Sequence, residues 1–214
     1  MQSWCMIARS EAEEHLRIIR SLMEKATIYR ALSAPAALVG GILSCAASAF
    51  VPVLEHREGG TAIPSATFTE VWSVVFFATA ATSLFLIKRD ADRRGEPFLS
   101  NGSRSAFRAM LPAMLVAGVL TLVSFARDTV PQQVPWWMAL YGVALLGMWH
   151  FAPKSIVVLG WAFTLAGAAA LCGLPQAIVA GILPSPSNLP SFLMAGTFGL
   201  FHLIYAACTW PRRA

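Results

Sequence analysis

Six apolar stretches of about twenty residues each leave this chain few ways to fold, running at approximately 31–54, 68–87, 107–126, 134–152, 155–174 and 189–210. A bilayer core about 30 Å thick takes roughly 20 such residues in a helix that rises 1.5 Å per residue. Backbone groups inside lipid need partners within their own structure, and a helix supplies them all. Barrel strands would alternate in polarity over about ten residues, and these runs do not alternate. The segments between them are polar or rich in turn formers: EHREGGTAIPS, KRDADRRGEPFLSNGSRS, RDTVPQQ, APKS and PSPSN. The expectation is an all-α bundle of six transmembrane helices over 31–214, preceded by a separate element at 1–30. Composition agrees, with 57% of residues hydrophobic and only 13% charged, against about a quarter charged in soluble domains.

Alternate connections differ sharply in charge. Five basic residues precede the first stretch, and six (Lys88, Arg89, Arg93, Arg94, Arg104 and Arg108) lie between the second and third. Lys154, Arg212 and Arg213 bring that side to fourteen, against Arg57 and Arg127 on the other. Cationic loops resist translocation, so the rich side is predicted to be cytoplasmic, with both termini inside, as in a bacterial-type cell membrane. The same clustering accounts for the net charge of +5 without a nucleic-acid partner. Trp72, Trp136 and Trp137 fall at predicted outer ends and Trp149 and Trp210 at inner ends, where an indole finds both apolar and polar surroundings. Trp161 lies deeper and reads as a packing residue.

Residues 10–30 read as an amphipathic helix at the inner surface. Ser10 and Glu13 form a capping box, and Ala12, Leu16, Ile19, Met23 and Ala26 give a narrow apolar stripe. It would lie on the lipid bilayer or the bundle, or contact a cytoplasmic protein or a second copy. No long apolar core precedes residue 31, so the first stretch is expected to direct insertion itself. After the fifth stretch, a break is expected at Pro175, followed by a short surface helix over 176–183.

Candidate chemistry is sparse. No Asp, Glu, Lys or Arg lies near the middle of a stretch, as an ion-coupled carrier would usually require. Glu70, near the start of the second stretch, is the nearest candidate substrate-binding residue. His150 and His202, in the fourth and sixth stretches, could together ligate a b-type haem; otherwise each imidazole hydrogen-bonds a backbone carbonyl or another helix. Gly147–Phe151 and Gly199–Leu203 share a Gly-x-x-His spacing that hints at similar hairpins. Ala36, Gly40, Ser44 and Ser48 form one row of small residues in the first stretch and Ala37, Gly41, Cys45 and Ala49 its neighbour. Ala162, Ala166 and Ala170 repeat the pattern in the fifth. Such rows let helix backbones approach closely, within one bundle, in a dimer or along a solute path. Pro35, Pro52 and Pro112 are expected to bend helix ends or restrict their starts.

Asp90-Ala91-Asp92 beside Arg93 and Arg94 reads as a solvated turn, as does the Asn101-Gly-Ser103 sequon. The four cysteines have no metal-site spacing, and neither a zinc-protease HExxH motif nor an intramembrane serine nucleophile is found. The expectation is therefore a non-enzymatic membrane subunit, sensor or regulator without cofactor. The alternatives are a small-solute permease and a His-ligated haem or metal protein.

Overall fold

The computed structural model describes residues 15, 34–57, 64–95, 101–127, 130–150, 152–179 and 189–210. All regular structure among them is helical: α1 (Ala34–Arg57), α2 (Ser65–Arg94), α3 (Asn101–Arg127), α4 (Val130–Leu146), α5 (Lys154–Leu171), α6 (Leu174–Val179) and α7 (Leu189–Thr209). Five of these, α1, α2, α3, α5 and α7, are long and apolar enough to cross a membrane, the signature of a multi-pass membrane protein. The amphipathic segment at 10–30 lies outside the described residues, except that His15 is helical and exposed.

Close approach of backbones organises the bundle. α4 and α5 pair most tightly: a Cβ on Gly167 would lie 2.7 Å from the Ala139 Cα, and one on Gly142 would lie 2.7 Å from the Gly160 carbonyl oxygen. α1 sits between α2 and α7. Its Gly40 faces Thr79 of α2, where a Cβ would meet the methyl at 2.8 Å. Its Gly41 faces Leu203 and the Gly199 carbonyl of α7, while Gly199 faces the Cys45 sulfur. Without a hydrophobic drive between helices in lipid, such contacts hold by dispersion, which needs this proximity. Thr82, Ser83, Thr121, Thr164, Thr197 and Thr209 each donate a hydroxyl to the carbonyl four residues back, which satisfies them inside their own helices. α2 and α3 lie at the periphery and leave Val74, Phe77, Phe85, Phe107, Leu115 and Leu122 exposed.

Several boundaries depart from the sequence reading. α4 ends at Leu146, and Gly147–His150 form turns whose amides reach back three residues from Met148 and Trp149. Pro153, which disfavours helix just before it, follows at once. The segments 147–151 and 199–203 are therefore not equivalent, because the second lies inside α7. α2 runs through Asp90–Asp92 to Arg94, not into a turn, and stops at Gly95, whose φ of 65° makes a left-handed cap. Asn101–Ser103 form the first turn of α3. α5 breaks at Gly173, with φ 75°, and not at Pro175, which sits in the first turn of α6. Pro35 lies in the first turn of α1, whereas α1 and α3 continue through Pro52 and Pro112.

Trp161, read as a packing residue, is instead exposed. Trp72 is buried against Phe68.

Candidate functional site

The last helix departs from α-geometry at its centre. Ala195–Phe201, with the sequence AGTFGLF, is wound as a π-helix between two α-helical ends. Glycines and threonine hold an α-turn weakly, and Gly199 is pinned beneath Cys45. Wide turns of this kind frequently mark functional positions.

His202 follows directly. Its Nδ1 lies 2.9 Å from the Phe198 carbonyl oxygen of the wide turn, and its Nε2 lies 2.9 Å from the Tyr141 hydroxyl of α4. A carbonyl only accepts, so Nδ1 donates; a neutral ring then offers the Nε2 lone pair to the Tyr141 O–H. Aromatic rings enclose the pair. Phe163 of α5, fully buried, places its centroid 4.8 Å from Tyr141, 5.4 Å from His202, 4.9 Å from Phe198 and 5.3 Å from Phe201. The hydrogen bond thus ties α4 to α7 at the level where α5 crosses both. In such apolar surroundings an unpaired group is unfavourable by about 1–3 kcal/mol, so the pair selects one alignment of the two helices.

A second polar contact lies at the Arg57 end of the bundle. The fully buried Gln133 of α4 donates from Nε2 to Thr69 Oγ1 of α2 at 2.9 Å. Trp137 Nε1 donates to Thr121 Oγ1 of α3 at 2.8 Å. Glu55, Ser65 and Ser191 are buried near the same end. The sequence reading assigned Glu55 to a polar connection; α1 instead carries it on a helical turn. Tyr141, Gln133 and Glu55 were missed as candidates. A phenol in mid-stretch with a histidine on another stretch was the available signal, since both need partners.

The residues singled out from sequence separate. His202 is in the pair just described. His150 is exposed in the turn after α4, edge-on to Trp149 at 5.4 Å. Ligation of iron by His202 would require it to give up one of its two hydrogen bonds. Glu70 is exposed, beside the Thr69–Gln133 contact and not part of it. Ala36, Gly40, Gly41, Ser44 and Ser48 are all buried. Among the described residues, no three His, Cys, Asp or Glu side chains group as metal ligands.

Two buried donors, Ser48 Oγ and Trp72 Nε1, have no hydrogen-bond partner among the described residues. With Gly40 set against Thr79 on antiparallel helices, eight residues along α1 and seven back along α2 bring them to one level. Ser48→Ala should raise the midpoint of thermal unfolding in detergent, by the equivalent of about 1 kcal/mol, because an unmet hydroxyl is removed. A lowered midpoint would show that the hydroxyl has a partner, such as buried water.

Comparison of the chain with known protein families, curated proteins and solved structures gives no match.

Proposed function

We propose that this protein is a six-span membrane subunit, sensor or regulator that acts by contact and not by turnover, with both termini on the cytoplasmic side of a bacterial-type cell membrane. The observation that carries the reading is how the bundle interior is filled. Tyr141 and His202 hold each other inside a collar of Phe163, Phe198 and Phe201, and Gly40, Gly41 and Cys45 of the small-residue rows of α1 meet Thr79, Leu203 and Gly199. A permease path lined by those rows would need them parted.

α4 supplies the sixth span. Its 17 residues rise about 26 Å, at the short end of what crosses a bilayer, and it packs along α5, which crosses. Fourteen basic residues against two orient the whole. The segment 10–30 is the proposed contact with a cytoplasmic protein or a second copy.

Chemical cross-linking in native membranes tests this directly. The intact chain should give a discrete adduct that deletion of residues 1–28 removes without loss of helicity. An adduct that survives the deletion rules out that segment as the contact. Saturable uptake of an uncharged solute by proteoliposomes would reassign the protein to the permease reading. A Soret band in the purified protein would reassign it to haem.

A further inference from the structure

The ends of α2 and α3 joined by residues 95–100 carry a concentrated excess of positive charge. Arg89 and Arg93 lie one turn apart on α2, and Arg104 and Arg108 one turn apart on α3; all four are exposed, as is Lys88. Like charges at this spacing are unfavourable by about 0.2–0.5 kcal/mol per pair. Among the described residues none of the four arginines forms an ion pair. Asp90, Asp92 and Glu96 are the acidic residues of the stretch, so the six basic residues from Lys88 to Arg108 leave it with an excess of three positive charges.

Their depth is informative. α2 has 30 residues and so rises about 45 Å, roughly 15 Å more than a hydrocarbon core. Its surplus is the cationic end. Directly below the cations both helices turn apolar and remain uncovered: Phe85 is 63% exposed on α2, and Leu111, three residues past Arg108 on α3, is 41% exposed. A band of guanidinium groups therefore sits immediately above a band of open apolar surface, on two neighbouring helices.

We infer that this end of α2 and α3 binds an anionic phospholipid carrying two phosphates, one held by each arginine pair, with its acyl chains on the exposed faces below. Guanidinium groups match phosphate oxygens in paired hydrogen bonds, and two phosphates relieve both like-charge pairs at once. A free phosphate offers nothing to Phe85 and Leu111, so the occupant is a lipid. Juxtamembrane clusters of four or more such residues suit anionic headgroups. The inference rests on the membrane reading but not on which side this end faces, nor on how many spans there are.

Native mass spectrometry of the purified protein with added cardiolipin, phosphatidylglycerol, phosphatidylcholine or inorganic pyrophosphate tests it. Cardiolipin should be retained at concentrations at least about tenfold lower than phosphatidylglycerol, consistent with a second charge-assisted contact, and pyrophosphate should not compete. R89Q/R93Q and R104Q/R108Q should each abolish that preference. R57Q/R127Q, at the opposite end of the bundle, should keep it, with helicity by circular dichroism confirming that all three variants fold. Equal retention of the two anionic lipids, displacement by pyrophosphate, or an unchanged preference in either arginine variant would overturn the inference.

Discussion

Gly167→Leu should strongly destabilise the folded protein, while Gly118→Leu leaves its stability nearly unchanged. At Gly167 the new side chain would begin 2.7 Å from the Ala139 Cα, and nearer still to that residue's amide nitrogen. These are backbone atoms of α4, so no side-chain rotation makes room. The helices must separate, and dispersion between them weakens within the first ångström of a gap. Overpacking in a core typically destabilises by about 1–3 kcal/mol, and a backbone collision along the tightest helix pair should reach or exceed the upper end. At Gly118 on α3 nothing lies within 4 Å of the new Cβ, so the change should stay within about 0.5 kcal/mol. Size-exclusion profile and unfolding midpoint in detergent report the difference. Equal behaviour of the two variants would mean that α4 and α5 are not packed as described.

Breaking the Tyr141–His202 contact should give the second-largest effect, and its signature is non-additivity. Tyr141→Phe removes the hydroxyl and leaves His202 Nε2 facing the Phe163 collar without a donor, which is unfavourable by about 1–3 kcal/mol. His202→Leu removes the ring and leaves the Tyr141 hydroxyl unmet at similar expense. With both changed no polar atom of the pair remains, so the double variant should be more stable than the sum of the single losses implies. The expected coupling is about 1 kcal/mol, in the upper range of hydrogen bonds between membrane helices. Reversible unfolding of the four proteins in mixed detergent gives the cycle. Strict additivity would mean that the two groups do not interact.

What hydropathy could and could not disclose follows from the physics of each element. Five spans were legible because a long apolar run in lipid has one stable form. The end of α4 was not, since Gly147–Phe151 are as apolar as a helix interior and the stop comes from Pro153 beyond them. A window sums polarity and cannot register that Gly173 adopts a left-handed conformation two residues before the more conspicuous Pro175. Asp90–Asp92 look like a loop by charge, yet helix continues there because nothing before Gly95 stops it. Glu55 was hidden for the same reason, as a charged residue on the last turns of an apolar helix. His202 stood out by type, but its partner depended on which faces of α4 and α7 meet. The wide turn at Ala195–Phe201 has no compositional mark beyond two glycines.

A true crossing by α4 decides which side of the membrane everything after Arg127 occupies. Single cysteines at Arg57, Arg127, Lys154 and Arg213, in a background with the four natural cysteines replaced by alanine, resolve it with a membrane-impermeant maleimide. Six spans predict that R57C and R127C react in intact cells, whereas K154C and R213C react only after permeabilisation. With α4 outside the membrane, five crossings would place Lys154 and Arg213 on the outer side. Labelling of K154C and R213C in intact cells would contradict the six-span reading.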